Sequence, residues 1–538
     1  MTPVPTAGQG RPVHRALLVV IILTGCGNEP DKVLPPTDPQ DLMTTLDALA
    51  AFGEKQPGTD AGRQAADYIA GRFRELQLTD VHTEKFTVPR WQLTKREFSL
   101  TIDGAPFTPG FDVFEASGSG AIDGPIVDVA SATDGDLAGL DLTGKIALVK
   151  RETSFHRSAQ LRNVAAKGAA AMLYLSVAPE NLRQVGSVRF GWNATEPIPS
   201  ITIGADDGAT IKAALAANKN VQVHVDIQAT STPADGINVV GKIKGERPEI
   251  VVLGAHYDSW FTGSSDNGSG VAELLAVASR RMRHAKPHYT LVFVAYDGEE
   301  TGLYGGYDYY RKHKIVGDEP IVTVVNFESP SAKNPDLAGV AHSNQTKLDE
   351  ALQLAHLRQI YGVYAGLEIV AQLFGGIIPT DIQGVYRGGT PTVSTAVTNP
   401  YYHTMNDTPD KVDLQLLVDS TDAFDAFLDH LGRVEPAELA MPDPQLWTAE
   451  VSPSPGAMFS VDVTVRDGNG MLHQGAVVVV SAMHDDFMLG AEVKGMTDAA
   501  GHVVLQLPAS VATDGAGNRF VHVTAGPVYP LAEQIVAL

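Results

Sequence analysis

The chain reads as an α/β protein. A mostly parallel central sheet flanked by helices carries an inserted β-rich module and ends in a C-terminal β-sandwich. Three observations predict this. Short, nearly continuous apolar runs at residues 249–254, 290–296, 321–326 and 391–397 fit strands buried on both faces of a parallel sheet, and helical patterns alternate with them. Between about 111 and 229 the texture changes to brief apolar runs broken by Gly, Pro and Asp. Beyond Pro442 the helical periods stop, and 459–465, 475–482 and 502–507 read as strands.

Composition narrows the function. The 538 residues exceed one compact core, so several domains are expected. Forty basic against 63 acidic residues leave a net charge of −23, which repels nucleic-acid phosphate and anionic membrane and excludes nucleic acid as a partner. A hydrophobic fraction of 44% and a charged fraction of 19% describe an ordered globular protein. The single Cys rules out an intramolecular disulfide and a cysteine-built metal site. That Cys sits in a telling place: Arg11 and Arg15 precede an apolar run at 16–23, followed by Leu23-Thr24-Gly25-Cys26. The run is too short to span a bilayer and has the form of a secretory signal. Its ending resembles a bacterial lipobox, which makes Cys26 the lipidated first residue of the mature protein. The expectation is an extracytoplasmic protein held on a bacterial membrane through that lipid alone, with secretion as the alternative.

Element by element, residues 1–26 are expected to be the lipoprotein signal and 27–40, polar and Pro-rich, a tether. A helix begins at Asp60, with Ala65, Tyr68, Ile69, Phe73 and Leu76 on one face, and 81–89 reads as a strand; both belong to the first part of the core domain, 41–110. The insertion, 111–233, holds a buried strand at 144–149, a helix at 163–168 feeding a strand at 169–175, a strand at 197–203 and an Ala-rich helix after Asp206-Asp207-Gly208. It resembles a protease-associated domain. The main part of the core domain, 234–440, contains the four buried strands and a helix at 270–282 carrying Val271, Leu274, Leu275 and Ala278 on one side. The tail, 445–538, with a turn at Asp498-Ala499-Ala500-Gly501, resembles a small transthyretin-like or immunoglobulin-like sandwich.

Chemistry is concentrated where each buried strand ends. The first is followed by His256-Tyr257-Asp258 and then Asp266-Asn267-Gly268-Ser269-Gly270, and the second by Asp297-Gly298-Glu299-Glu300-Thr301-Gly302-Leu303. After the third comes Asn326-Phe327-Glu328, and after the fourth Tyr401-Tyr402-His403-Thr404 through Asp407-Thr408. Parallel strands end on one edge, where open α/β sheets bind ligands, so two His and four carboxylates are expected to converge. Taken singly, each piece is ordinary: a loop histidine, an Asp-Asn-Gly turn, a solvated acidic pair at a helix start. Together they make a donor set of imidazole and carboxylate without thiolate, which suits zinc, with manganese or cobalt able to substitute.

The motifs His-x-Asp, Asp-Asn-x-Ser-Gly, Glu-Glu-x-Gly-Leu and Tyr-His-Thr-x-x-Asp-Thr resemble the di-zinc exopeptidases that include bacterial leucyl aminopeptidases, aminopeptidase Y and glutamate carboxypeptidase. The resemblance implies two zinc ions and peptide substrates. His256 and Glu328 would bind one ion, Glu300 and His403 the other, and Asp266 would bridge them. Glu299 would be the general base and Tyr402 the residue that steadies the oxyanion. Asp258 and Asp407 are expected to orient His256 and His403. The chain departs from the family at Glu328, where Asp is common, and at Thr380-Asp381-Ile382, where many members have Ser-Asp-His; Asp381 is assigned no catalytic role.

The expected reaction is removal of N-terminal residues from extracytoplasmic peptides. The rivals are a glutamate-carboxypeptidase-like enzyme, a glutaminyl cyclase, against which an intact His256 argues, and a receptor-like binding module that has kept the fold and lost the chemistry. Residues 139–145 match phosphate-loop spacing, but Ile146 stands where Ser or Thr must bind magnesium. His-Glu-x-x-His and Gly-x-Ser-x-Gly are absent, so zincin and serine-hydrolase chemistry lack support. Specificity is expected from loops at 329–342 and 373–389 and from the insertion.

Overall fold

The computed structural model describes residues 34–538 apart from 134, 152–156, 190–197, 368, 371–377, 442–447, 455–457, 468, 484–488, 509–519, 527–531 and 538. The signal segment with Cys26 and the start of the tether lie outside the described residues.

In chain order the strands of the large sheet are β1 (Thr79–Ile102), β2 (Ala105–Phe107), β3 (Phe111–Val113), β4 (Gly120–Asp128), β5 (Ile146–Lys150), β6 (Ala171–Leu175) and β7 (Ser200–Ile203). They continue with β8 (Val221–Ile243), β9 (Ile250–His256), β10 (Thr290–Tyr296), β11 (Ile321–Asn326), β12 (Ala338–His342), β13 (Val363–Gly366) and β14 (Thr392–Val397). The 14 strands run β13-β12-β14-β11-β9-β10-β8-β4-β5-β6-β7-β3, with β1 laid along β8 and β2 folded back on β1. The four strands expected from the buried apolar runs form its parallel centre: β10 pairs with β9, β9 with β11 and β11 with β14, all parallel.

These strands read as unbroken apolar runs because both faces are covered. Val251, Leu253 and Ala255 alternate into the core under the helices Asp60–Glu75, Ser269–Arg281 and Leu414–Leu431, while Ile250 and Val252 face the opposite core with Tyr296, Tyr309 and Ile382. The helix at Asp60 starts where expected: Thr59 accepts from the Gly62 amide as its cap, and Ala65, Ile69 and Phe73 are buried. Phe73 meets Phe293 of β10 edge to face at 6.4 Å.

The first strand is longer than the 81–89 run suggests. β1 spans 24 residues and pairs antiparallel with β8 from Thr79↔Lys242 to Ile102↔Val221. Much of its length is exposed, so cross-strand pairing rather than an apolar run holds it together, and an apolar count misses it. β8 joins the core sheet beside β10 through residues 239–243 and the insertion's sheet beside β4 through residues 222–227. One strand thus belongs to both sheets, and the expected boundary at 233/234 falls inside it. The insertion stands on a stiff ribbon rather than on flexible linkers. It also contains the helices Arg157–Ala166 and Ala205–Ala216 packed on β4 to β7, with its own buried core around Leu148, Leu173, Ile201 and Val225.

The tail is a sandwich of two antiparallel sheets. One holds β15 (Thr448–Ser454), β16 (Met458–Arg466) and β19 (His502–Pro508). The other holds β17 (Val477–Met483), β18 (Leu489–Met496), β20 (Phe520–Gly526) and β21 (Ala532–Ala537). Val461, Val463, Val478, Val480, Val521 and Val523 fill its interior.

Behind the parallel centre, the helix Ser269–Arg281 is pinned to Leu414–Leu431 by Arg280 Nε to Asp425 Oδ2 at 2.8 Å and Arg281 Nη1 to Asp429 Oδ1 at 2.8 Å. Between the same helices lies Glu273, fully buried, whose Oε1 accepts from the Ser420 hydroxyl at 2.7 Å. Burial pushes its carboxyl up to about 8, so the folded state keeps it protonated at neutral pH. An unfolded chain releases that proton above 4.5, so this group's contribution to stability is complete below pH 4.5 and is lost as pH rises through 8. The span from 4.5 to about 8 corresponds to at most roughly 5 kcal/mol. Glu273→Gln should flatten the dependence of Tm on pH across that window, measured by thermal melts from pH 4.5 to 9.

Candidate metal centre

The register of the parallel strands brings the site together. Tyr296 of β10 lies opposite His256 of β9, and Asn326 of β11 opposite Gly254, so the segments after them leave the sheet side by side. His256, the last residue of β9, is fully buried; its Nδ1–H donates to the Asp258 carbonyl at 3.1 Å, which leaves Nε2 free to face the site. Around that Nε2 stand Asp266 Oδ1 at 3.3 Å, Glu328 Oε1 at 3.3 Å and Glu299 Oε2 at 3.9 Å. On the other side, His403 Nε2 lies 3.2 Å from Asp266 Oδ2 and 2.9 Å from Glu300 Oε2.

Asp266 is therefore shared, one oxygen toward each imidazole. The groups His256–Asp266–Glu328 and Asp266–Glu300–His403 each offer donor atoms within 4.8 Å of one another. Glu328 reaches its place despite the extra methylene, its second oxygen accepting from Asn326 Nδ2 at 3.3 Å.

Asp266 does not find this position alone. The Ser265 and Asp266 amides donate to the two oxygens of Asp407 at 3.0 and 3.1 Å, and Asn399 Nδ2 donates to Asp407 Oδ1 at 2.8 Å. Asn267 bridges forward, donating to the Phe327 carbonyl at 2.8 Å and accepting from the Gly270 and Ser329 amides at 3.1 and 2.9 Å. The Gly in Asp-Asn-x-Ser-Gly has a steric reason: a Cβ at Gly270 would sit 2.2 Å from the Phe327 carbonyl oxygen. Asp258 accepts from the Glu299 and Glu300 amides at 3.2 and 3.1 Å, which sets both carboxylates at the start of their loop.

One expectation is corrected. Asp407 does not orient His403; it clasps the Asp266 loop. The Nδ1–H of His403 donates to the Val185 carbonyl of the insertion at 3.1 Å. A backbone carbonyl 218 positions away leaves no trace in residue types. Asp381, assigned no catalytic role on sequence, is buried close enough that Glu328 and Asp258 bear on it, and among the described residues its carboxylate oxygens have no aligned hydrogen-bond partner, although the Gly306 amide lies against it. Burial and those like charges push its pKa up against the pull of His256. Lys55 was also missed. It is buried, donating to the carbonyls of Gly53 and Thr262 at 3.1 and 2.8 Å, and burial lowers it to about 8 against the pull of Asp407 and Asp258.

The electrostatics ask for a cation. Burial pushes the pKa values of Glu299, Glu300 and Glu328 up, with the charges of Glu328 and Glu300 adding to it at Glu299 and that of Asp266 at the other two, although His256 or His403 pulls each down. Burial works against the charge on His256, yet Glu328, Glu299, Asp258 and Asp266 together hold it well above its usual value. Among the described residues, Glu300 Oε1 and His403 Nε2 are buried without an aligned hydrogen-bond partner. Orphaned buried donors of this kind, turned to a common point, fit divalent ions, whose charge would reverse these shifts. The all-nitrogen-and-oxygen donor set suits zinc.

Tyr402 stacks on His403, ring centroids 3.6 Å apart, and the Arg151 guanidinium lies 5.5 Å from the Tyr402 ring centroid. Burial and the Asp266 charge hold its hydroxyl protonated. Trp260 meets His403 edge to face at 6.3 Å and lines a cavity of about 500 Å³. Glu54, Arg90, Trp91, Asp112 and Val185 also wall it, so among the described residues its walls come from the core, the ribbon and the insertion, and none from the loops at 329–342 and 373–389. Part of the second loop lies outside the described residues.

Residues 238–428 match peptidase family M28, and residues 122–211 match the PA domain. Residues 238–428 are a peptidase family M28 domain. Among curated relatives, the chain is 27% identical over 317 residues to a probable leucine aminopeptidase 2 of Aspergillus fumigatus, covering 56% of this chain and 62% of the relative. It is 25% identical over 368 residues to carboxypeptidase Q of Xenopus laevis, covering 62% of this chain and 76% of that one. The match thus spans under two thirds of the fungal relative's length. A solved zinc aminopeptidase from Bacillus subtilis shares the fold, with a TM-score of 0.57 and 20% identity over 77% of this chain and 100% of that one.

Replacing Asp407 by Ala strands the buried amides of Ser265 and Asp266. That should cost about 1–3 kcal/mol for each orphaned group, read as a fall in Tm by differential scanning calorimetry.

Proposed function

We propose that the chain is a zinc-dependent exopeptidase, an aminopeptidase that takes N-terminal residues from extracytoplasmic peptides. The carrying observation is the pair of triads, His256–Asp266–Glu328 and Asp266–Glu300–His403, that share Asp266 with Glu299 beside them. Both triads are complete, which argues against a binding module that has lost its chemistry. The fungal relative's name supports the aminopeptidase reading and the amphibian one's keeps the carboxypeptidase reading in play.

In this reading His256, Asp266 and Glu328 would hold one zinc, and Asp266, Glu300 and His403 a second. When bound, the ions supply Lewis acidity, drawing electron density from the scissile carbonyl and acidifying water. Glu299 takes the proton from the attacking water and hands it to the leaving amine. Asp258 keeps Glu299 in place through the amide of its own loop, 3.2 Å away. Tyr402, kept protonated by burial, donates its hydroxyl hydrogen to the oxyanion. The cavity beside Trp260 receives substrate beyond the reacting bond.

The test is mass spectrometry of a mixed peptide pool incubated with the zinc-loaded protein. Shortening from the N-terminus, with N-acetylated peptides untouched, is expected; shortening from the C-terminus would move the assignment to the carboxypeptidase branch. Glu299→Gln should keep its zinc and lose at least about 10²–10⁴-fold in kcat. A fully active Glu299→Gln protein would overturn the mechanism.

The signal-like segment ending at Cys26 supports a place outside the cytoplasm on a lipid anchor, and no helix among the described residues is long and apolar enough to cross a membrane. Cys26→Ser should move the protein from the membrane fraction to the soluble one on cell fractionation.

A further inference from the structure

The insertion reaches the metal centre most closely through residues 180–185, where the contact is dense. The Val185 amide donates to the His403 carbonyl at 3.0 Å while the Val185 carbonyl receives the His403 Nδ1–H at 3.1 Å. Gln184 Nε2 donates to the Tyr402 carbonyl at 3.1 Å. One residue pair further out, Glu180 accepts from the Tyr401 hydroxyl and from Asn406 Nδ2, each at 3.1 Å. The turn that presents His403 is thus gripped on both flanks and along its backbone by residues 180–185.

That grip is matched by a backbone that needs it. His403 has a φ of +57°, left-handed for a residue with a side chain, a conformation that persists only where neighbours hold it. The gripping loop is itself locked into the insertion. The Gly186 carbonyl accepts from the Glu115 amide at 3.0 Å, Ser187 donates to Glu115 Oε2 at 2.6 Å, and Arg157 Nε donates to the Ser187 carbonyl at 2.6 Å. Gly186, with a φ of +140°, lies so close under Arg157 that a Cβ would be 2.2 Å from its guanidinium. The Val185 carbonyl therefore arrives at His403 from a fixed platform.

We propose that the 180–185 loop of the insertion is a positioning element for the Asp266–Glu300–His403 position. Its Val185 carbonyl selects the tautomer that turns Nε2 toward the site, and Gln184 and Glu180 hold the turn that carries it. Among the described residues no equivalent contact reaches the other triad, where His256 is oriented by the carbonyl of Asp258 in its own domain. The inserted domain sets the affinity of one metal position and leaves the other to the core sheet. The inference rests on reading the triads as metal sites.

The experiment measures zinc affinity by chelator competition in two backgrounds. His256→Ala leaves only the second position intact, and His403→Ala only the first. Adding Glu180→Ala and Gln184→Ala together should weaken zinc about 10–100-fold in the His256→Ala background and leave the His403→Ala background unchanged, with Tm within a few degrees of each parent. Glu180→Gln with Gln184 restored should recover most of the lost affinity. Should the double change destabilise the fold, Gln184→Ala alone carries the same comparison. Equal loosening in both backgrounds, or no loosening in either, overturns the inference while leaving the metal sites standing. Failure of the unaltered protein to take up zinc overturns the reading of the triads, and the inference with it.

Discussion

Asp266 is held between two imidazoles, one carboxylate oxygen 3.3 Å from His256 and the other 3.2 Å from His403, and much of the sheet edge serves to keep it there. The difficulty is electrostatic. Asp258, Asp266, Glu299, Glu300 and Glu328 crowd one small buried region, where low dielectric magnifies their repulsion. Two imidazoles and the buried Lys55 are the nearby counter-charges among the described residues. The local structure answers by spending backbone amides on carboxylates: Asp407 takes those of Ser265 and Asp266, and Asp258 those of Glu299 and Glu300. Each such bond stabilises a negative oxygen and fixes a loop at once, so the donor atoms stay in place despite repelling one another.

Assembly of the site depends on the parallel register. Because β9, β10, β11 and β14 end together, segments separated by dozens of residues in sequence meet at one edge. The ribbon of β1 and β8 adds a second consequence: it fuses the insertion to the core sheet and brings a loop of the insertion over His403. The cavity beside Trp260 lies between these parts, so its walls come from three regions of the chain.

Several features were legible from residue types. Strands buried on both faces announce themselves as unbroken apolar runs, and β10 and β11 fall where those runs predict. The His and carboxylate motifs were visible because they follow those strands directly. The length of β1 was not, since an exposed ribbon held by cross-strand pairs has no apolar signature. Nor was the role of Asp407: its spacing from His403 suggested a partner for the imidazole, but a carboxylate beside two loop amides is drawn to them instead.

From sequence alone come the α/β class, the placement of the chemistry at strand ends and donor types without thiolate. These follow from local pattern and composition, which act over a few residues. The tertiary structure alone decided which atom orients each histidine, that Glu328 reaches the site, and that Asp381 and Lys55 sit buried beside it. It also decided that Val185, from another domain, completes the setting of His403. Those outcomes depend on backbone carbonyls and amides, which every residue carries alike, and only the folded chain says where they point.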